Sequence, residues 1–198
     1  MSTLRLLHGS GPAPTDDDLK ALAAEDSRLA ADLLIRKYRN PLYHHATGIL
    51  KDSEEAIDVT QEVFIRAMRE RRLWDDDFKI KPWLYRVTTN LCFNLVRNRK
   101  RRAAILETVP QPKTSDPKQI DTIFQSERQA SILRAMEELT ESHRKILMLR
   151  YYGDMSYAEV ADTLDIKLGT VMSRLSRAKG RLVEALDRLE GFEDVQEV

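Results

Sequence analysis

A run of arginines and hydroxyl residues near the C-terminal end of the chain has the side chains that read DNA. No acidic residue occurs between positions 166 and 183. Arginine pairs with guanine or phosphate, and hydroxyl groups contact bases or the backbone. The alternative is a basic surface on a small helical bundle. We favour a helix that enters the major groove and carries these residues on one face: Thr170, Ser173, Arg174, Arg177 and Arg181.

The residues around this helix predict the element that positions it. Ser156 and Glu159 have capping-box spacing and start a short helix, and a tight turn follows at 165–168. A second helix is expected from 169 to about 189. Two short helices joined by such a turn are typical of a helix-turn-helix. The second helix has an unbroken apolar stripe of Val171, Leu175, Ala178, Leu182, Leu186 and Leu189.

Charge is segregated along the chain, although the formal net charge of its 198 residues is zero. Residues 28–102 contain 17 Lys/Arg and 10 Asp/Glu, a net charge of +7. The two ends of the chain are acidic. A local basic segment indicates a polyanionic partner whatever the total charge.

The chain is organised as an all-α protein with two small helical domains and a flexible linker. Seven glycines and seven prolines are few for a turn-rich sheet protein. Residues 107–119 contain three prolines and no helical apolar period, which is typical of a linker. We divide the chain into a flexible tail at 1–24, a domain at 25–102, a linker at 103–129, a domain at 130–190 and an acidic tail at 191–198.

A helix with two different faces is predicted from Asp52 to about Arg71, opened by a capping box at 52–55. Its core face should carry Ile57, Thr60, Phe64, Ala67 and Met68. The opposite face carries Asp58, Gln61, Glu62, Ile65 and Arg69. This face is either an ordinary solvated surface with one stray isoleucine or a docking surface for another protein.

A second helix of this domain is predicted to begin at Pro82 and to end near Arg102. Its expected apolar stripe is Leu84, Val87, Leu91, Leu95 and Val96. Asn90, Asn94 and Arg97 follow one another on another face. The last six residues contain five cations, more than the helix dipole needs, and phosphate contact explains them better: Arg97, Arg99, Lys100, Arg101 and Arg102.

The loop between these helices, at 72–81, contains aromatic and acidic side chains. Trp74 and Phe78 are either packing anchors of the loop or platforms on which unpaired bases stack. Trp83 is expected in the core. Three consecutive acids, Asp75, Asp76 and Asp77, are unusual beside DNA. They either accept hydrogen bonds from cytosine amino groups or discourage unspecific binding.

Several other classes of protein are disfavoured. No apolar run approaches the roughly 18 residues that span a bilayer, and the N-terminus lacks a signal peptide. A single cysteine, Cys92, forms no internal disulfide. The four histidines fit no metal-ligand spacing, so we expect no metal and no cofactor. These features predict a cytoplasmic protein without direct membrane insertion.

Two passages together resemble a known family. The sequence DVTQEVFIRAM at 58–68, followed by PWLYRVTTN at 82–90, resembles region 2 of the extracytoplasmic-function (ECF) sigma factors of bacterial RNA polymerase. The sequence LTESHRKILMLRYYGDMSYAEVADTLDIKLGTVMSRLSR at 139–177 resembles their region 4. Each motif alone is moderately specific, but both in the family's order are highly specific. The resemblance implies a non-catalytic sigma factor that directs polymerase to promoters.

The resemblance also implies which partners each surface binds. The first helix would dock on the clamp helices of the polymerase's largest subunit, and the flap region of the polymerase would be a second contact. The linker would pass through the polymerase near the active centre. An anti-sigma factor is a further expected partner. The core-binding residues would be Asp58, Gln61, Glu62, Ile65, Arg66 and Arg69.

Promoter DNA would be bound at two elements. The loop and the helix after it would open the −10 element and hold flipped bases, using Trp74, Asp75, Asp76, Asp77, Phe78, Asn90, Asn94, Arg97, Arg99 and Lys100. The region 4 helix-turn-helix would read the −35 element, using Ser156, Tyr157, Lys167, Thr170, Ser173, Arg174, Arg177 and Arg181.

The chain departs from the family pattern in the helix-turn-helix. Asp165 stands where many relatives have glycine, and aspartate tolerates a left-handed backbone there. Met172 replaces a frequent basic residue, and Lys167 replaces a frequent proline or small residue. These differences leave the −35 sequence unpredicted.

Two other functions would use parts of these patterns. A one-component or response-regulator transcription factor would use the helix-turn-helix alone, but it would leave the motifs of the first domain unexplained. A nuclease would need a metal cluster, for which only the acids at 75–77 are available, without positioned partners.

Overall fold

The computed structural model describes residues 14–107 and 127–196, with side chains described for 14–103 and 131–189. All regular structure in these ranges is helical, as the sequence predicts. The chain divides into two compact units at Cys92–Phe93, inside a helix, whereas the sequence analysis ended the first domain at 102. The two units are described separately.

The first unit begins with a helix that the sequence analysis missed. Helix α1 spans Asp16–Glu25, and Leu19 and Leu22 on it are buried. Thr15 caps it: the Thr15 hydroxyl accepts a bond from the Asp18 amide at 3.1 Å, and the Asp18 carboxylate accepts one from the Thr15 amide at 2.8 Å. The assignment of a flexible tail is therefore wrong for residues 15–24. Two buried leucines in ten residues are too few to show the apolar periodicity from which a helix is predicted.

Helix α2 spans Ser27–Leu50 and helix α3 spans Ser53–Arg69. The Asp52 carboxylate accepts a bond from the Glu55 amide at 3.0 Å, so the predicted N-cap of α3 is confirmed. The helix ends two residues before the predicted Arg71.

The buried face of α3 differs from the predicted one at two positions. Thr60, Phe64 and Ala67 are buried as predicted, but Ile57 and Met68 are 47% and 43% exposed. The core is filled instead by Ala56, Val59 and Val63. The buried face of α3 is thus rotated about the helix axis relative to the predicted face.

Helix α4 spans Ile80–Glu107, two residues earlier and five later than predicted. Pro82 still lies in the first turn, where its missing N–H costs nothing. Leu84 is buried as predicted, but Val87, Leu91, Leu95 and Val96 are only half-buried. The buried positions include Ile80, Leu84, Tyr85, Thr88, Thr89 and Cys92. Threonine can occupy this face because the Thr88 hydroxyl donates to the Leu84 carbonyl at 2.8 Å.

The second unit is also helical. Helix α5 spans Glu127–Glu138, α6 spans Glu141–Leu147, a π-helical turn spans Met148–Tyr152, α7 spans Tyr157–Leu164 and α8 spans Leu168–Gln196. The ends of the predicted linker, 103–107 and 127–129, are therefore helical, and its centre lies outside the described residues. Residues 191–196, which the sequence predicts to be part of an acidic tail, continue α8.

Helix α8 packs its apolar stripe against the other helices of its unit. Val171, Leu175 and Ala178 are buried as predicted. Leu182, Leu186 and Leu189 are half-buried, and Ala185, absent from the predicted stripe, is buried between them. An ion pair between Arg188 and Glu138 joins α8 to α5.

Gly180 lies in the interior of α8, and a Cβ added there would meet nothing within 4 Å. Gly180→Ala is therefore expected to raise the free energy of unfolding by about 0.5–1 kcal/mol, because alanine loses less backbone entropy in a helix. Circular dichroism during thermal unfolding of the full chain measures this. Gly169→Ala, equally open but in the first turn, is the matched control with a smaller expected gain. An unchanged or lower midpoint for Gly180→Ala would contradict the prediction.

Candidate partner and nucleic-acid interfaces

The outward face of α3 is partly apolar. Asp58, Gln61 and Arg69 are exposed, and Ile65 among them is 46% exposed. Beside them, Arg66 Nε donates to Glu62 Oε1 at 2.7 Å, an exposed i, i+4 ion pair worth only a few tenths of a kcal/mol. The structure thus brings the six predicted core-binding residues onto one surface.

Ile57 and Met68 enlarge this surface and were missed by the sequence analysis, which assigned them to the core. Their exposure gives α3 three large apolar side chains in contact with solvent: Ile57, Ile65 and Met68. An amphipathic helix normally hides such side chains, so three on one outward surface indicate a protein-binding face. The sequence does contain a second set of apolar residues at helical spacing, Ala56, Val59 and Val63, which could have identified the buried face of α3.

The loop after α3 is anchored by a residue that the sequence analysis did not single out. Leu73 is 1% exposed, whereas Trp74 and Phe78 are only half-buried. The Phe78 ring tilts against Trp83 with the ring centroids 6.0 Å apart. Trp83 is itself half-buried rather than a core residue. Trp74 and Phe78 therefore keep part of their ring surface available for a ligand.

The acids of this loop are partly neutralised from within it. Arg72 Nη2 donates to Asp77 Oδ2 at 2.7 Å, and Arg72 Nε donates to Asp75 Oδ2 at 3.1 Å. The hydrogen bond that Arg72 donates to Asp77, and after it the one to Asp75, raises the pKa of Arg72. Asp76 is exposed, and its backbone carbonyl accepts a bond from Lys20 Nζ at 2.7 Å. One arginine thus bridges two of the three carboxylates and offsets one unit of the negative charge that the loop would present to DNA.

The polar residues of α4 lie together on its surface. Asn90, Asn94 and Arg97 are exposed, and Arg97 Nη2 donates to Asn94 Oδ1 at 2.8 Å. Arg99 and Lys100 are also exposed. The predicted polar face of Asn90, Asn94 and Arg97 is therefore present, and the cations that follow it are exposed.

Helices α7 and α8 form the predicted helix-turn-helix. The Ser156 hydroxyl accepts a bond from the Glu159 amide at 3.2 Å, and Glu159 Oε2 accepts one from the Ser156 amide at 2.7 Å. This confirms the capping box. Asp165 in the turn has φ 53° and ψ 51°, the left-handed conformation that aspartate tolerates better than most residues. The Ile166 amide then donates to the Ala161 carbonyl at 3.0 Å, which closes α7.

The predicted base-reading residues of α8 differ in exposure. Ser173, Arg177 and Arg181 are exposed, as is Lys167 just before the helix, while Thr170 and Arg174 are half-buried. Two further exposed residues neighbour Ser173 and Arg177: Met172, which the sequence comparison named only as a departure from the family pattern, and Ser176, which was missed. The buried stripe of α8 fixes which face of the helix is exposed, and both residues lie on that exposed face.

Cations and tyrosines form a further surface cluster in the second unit. Arg150 lies 5.6 Å from the Tyr157 ring centroid, and Lys179 lies 5.5 Å from that of Tyr151. A hydrogen bond with the Tyr151 hydroxyl raises the pKa of Lys179. Tyr157 is 38% exposed. It therefore stands among cations at the start of α7, beside Ser156.

The described part of the chain has neither a membrane-spanning helix nor a cluster of metal ligands. No helix there is both long enough and apolar enough to cross a bilayer. Within residues 14–107 and 127–196, no three His, Cys, Asp or Glu side chains come together as metal ligands would.

Family models match both units. The model of sigma-70 region 2 matches residues 34–102, and that of sigma-70 region 4 matches residues 129–182. Together they cover more than half of the chain, in the order that the sequence motifs predict.

Curated relatives carry the same family name. SigE of Mycolicibacterium smegmatis, an ECF RNA polymerase sigma factor, is 32% identical over 157 residues, or 78% of this chain. That alignment spans 61% of SigE, less than two thirds of its length. The RNA polymerase sigma-H factor of Pseudomonas aeruginosa is 28% identical, over 88% of this chain and 95% of its own length.

Two solved structures have the same fold. CnrH in complex with the cytosolic domain of CnrY is 26% identical, with a TM-score of 0.62 over 87% of this chain and 97% of CnrH. RpoE of Bartonella quintana, in complex with the anti-sigma factor NepR, has a TM-score of 0.55 at 21% identity, over 82% of this chain and 98% of RpoE. With both conserved regions matched in order, the chain belongs to the sigma-70 family and, within it, to the ECF sigma factors, which recognise promoters for RNA polymerase.

Proposed function

We propose that this ECF sigma factor binds core RNA polymerase through α3, melts the −10 element with the loop at 70–79, and reads the −35 element with α8. The observation behind this proposal is that one chain combines an exposed, partly apolar helix face in one unit with a helix-turn-helix in the other. The helix-turn-helix alone would explain only duplex DNA binding. The face on α3 requires a protein partner.

Core binding is assigned to Asp58, Gln61, Glu62, Ile65, Arg66 and Arg69, with Ile57 and Met68 at their side. An interface of this kind has an apolar centre and a polar rim. Ile65 is the apolar centre, and the Glu62–Arg66 pair lies at the rim. The proposed occupant is the pair of clamp helices of the largest subunit, and the flap region is proposed as a second contact.

Promoter melting is assigned to the loop and to α4. A flipped base loses its stacking in the duplex, at a cost of a few kcal/mol, and a protein offsets that cost with aromatic stacking. Trp74 and Phe78 supply half-exposed rings. Asn90 and Asn94 supply amides beside Arg97, and Arg99 and Lys100 supply charge for the phosphates. Because Arg72 binds Asp75 and Asp77, its positive charge lies directly beside two of the carboxylates that a DNA strand would meet.

Recognition of the −35 element is assigned to α8. Ser173, Arg177 and Arg181 face outward, and Arg174 and Thr170 flank them. Met172 and Ser176 join this set because they are exposed between these residues. Ser156, Tyr157 and Lys167 lie at the N-terminal ends of α7 and α8 and are proposed to bind the DNA backbone, which fixes the register of the recognition helix.

Binding to polymerase is proposed to make the two weak DNA contacts act together. Two units on a tether lose freedom when both engage DNA, so the free chain should bind promoters poorly. Once polymerase fixes their separation, the second contact forms at a high effective concentration. The protein then needs no catalytic chemistry of its own, and we propose that it works in the cytoplasm with polymerase and chromosome.

An anti-sigma factor is proposed as the regulator. Support comes from the structural relatives: RpoE was solved with the anti-sigma factor NepR, and CnrH with the cytosolic domain of CnrY. The exposed apolar side chains of α3 are a surface that such a partner would cover.

Transcription reconstituted with purified core polymerase tests the proposal. We expect promoter-specific transcripts from genomic templates only when the full chain is added, and a gel shift on those promoters only with polymerase present. Trp74→Ala should retain polymerase binding and lose promoter opening. Tight binding of duplex DNA without polymerase, together with no specific initiation, would indicate an ordinary helix-turn-helix transcription factor instead.

A further inference from the structure

We infer that Lys20 and Asp16, both on helix α1, are positioning residues for the loop that captures −10 bases. The inference rests on the proposed role of that loop. Neither residue need contact DNA. Helix α1 lies outside the residues that the region 2 model matches, which begin at 34.

The first contact joins α1 to the tip of the loop. Lys20 Nζ donates to the backbone carbonyl of Asp76 at 2.7 Å, and the Lys20 side chain is only 9% exposed. Its second neighbour, the Asp17 carboxylate, is 3.7 Å away and 93% exposed, so water screens that ion pair. The carbonyl is therefore the stronger of these two partners, and a buried lysine stem holds the ammonium against it.

The second contact joins α1 to the end of the loop. Asp16 Oδ2 accepts a bond from the Lys81 amide at 3.3 Å, and Lys81 is the second residue of α4. Asp16 Oδ1 accepts bonds from Lys37 Nζ at 2.6 Å and from the Tyr38 hydroxyl at 2.7 Å, both on α2. The Asp16 carboxylate thus links the start of α4 to the long helix of the unit.

These contacts lie where the loop needs support. Asp76 lies between Trp74 and Phe78 in the chain, and both rings are only half-buried. Leu73 anchors one side of the loop, and Arg72 binds acids within the loop itself. A loop that is already ordered pays less entropy when it binds a flipped base. Lys20 and Asp16 therefore lower the cost of opening without adding a contact to DNA.

The test replaces Lys20 in the full chain and measures opening with core polymerase. Lys20→Met keeps most of the buried stem and removes the donor. With 2-aminopurine in the −10 non-template strand of a promoter identified by transcription, we expect opening to slow about tenfold, the effect of losing one charge-assisted hydrogen bond. Affinity for core polymerase should stay unchanged. Lys20→Arg should restore most of the rate.

Asp17→Asn is the matched control, because it removes the negative charge of the other neighbour of Lys20 Nζ and leaves the bond to the Asp76 carbonyl. It should open promoters at the wild-type rate. Hydrogen exchange of the free Lys20→Met protein should quicken at 72–79 and not elsewhere in its unit. Normal opening by Lys20→Met, or an equal loss in Asp17→Asn, would overturn the inference. If the Trp74→Ala protein also opens promoters at the wild-type rate, the proposed role of the loop in promoter opening is wrong, and the test does not bear on Lys20 alone.

Discussion

Ile65→Glu is expected to lower the affinity of this sigma factor for core RNA polymerase by about thirtyfold or more, as truncation of a central interface residue does. Ile65 is 46% exposed at the centre of the outward face of α3. In the complex the new carboxylate would lie against the polymerase, close to Asp58 and Glu62, and would lose its water. Pairing with exposed Arg69, one turn further along α3, would offset only part of that cost. Competition binding against the wild-type protein measures the loss.

Val183→Glu is the matched control for this substitution. Val183 is an aliphatic residue of similar exposure, 55%, but it lies on α8 in the other unit. We expect the affinity of the Val183→Glu protein for polymerase to stay within about twofold of wild type, the range usual for residues away from the centre of an interface. Because both tryptophans, Trp74 and Trp83, lie in the first unit, their fluorescence shows whether Ile65→Glu still folds there. A folded Ile65→Glu protein with normal affinity would remove α3 from the interface.

The helix-turn-helix could be predicted from sequence because every local signal agrees there. The Ser156–Glu159 capping box starts α7, the left-handed Asp165 ends it, and the stripe from Val171 to Ala178 orients α8. Each signal involves residues within a few positions of one another. Local rules therefore suffice for the fold of this element and for most of its exposed face.

Other features depend on contacts between distant residues, and the sequence analysis missed them. Helix α3 has two possible apolar faces, and only packing against neighbouring helices selects Val59 and Val63 over Ile57 and Met68 for the core. The acidic loop is tied to Lys20, 56 positions earlier in the chain. Helix α1 has too few apolar residues for its amphipathic pattern to be recognised in the sequence. A single sequence does not show which distant residues contact each other. The contacts from α1 that hold the loop could therefore not be predicted.

His45 is expected to make the first unit sensitive to mild acid. The residue is fully buried, its Nε2 lies 2.9 Å from the Thr89 hydroxyl, and its Nδ1 has no hydrogen-bond partner. Burial lowers the pKa of His45 to about 3, and the neighbouring Tyr85 ring and Thr89 hydroxyl bring no charge to offset it. The unfolded chain takes up this proton near pH 6.5. The free energy of unfolding should therefore fall as the pH drops below 6.5, by about 2 kcal/mol at pH 5.

Denaturant unfolding followed by tryptophan fluorescence at pH 7.5 and pH 5 measures this loss in the first unit. His45→Gln keeps an amide that can bond Thr89 and takes up no proton, so its free energy of unfolding should change about 2 kcal/mol less than the wild-type value between the two pH values. His44→Gln, at the exposed neighbouring position on α2, should follow the wild-type curve. Carboxylates with ordinary pKa values near 4 contribute little above pH 5, so the difference between the two variants isolates His45. Parallel curves for His45→Gln and wild type would show that the buried ring accepts its proton without cost to the fold.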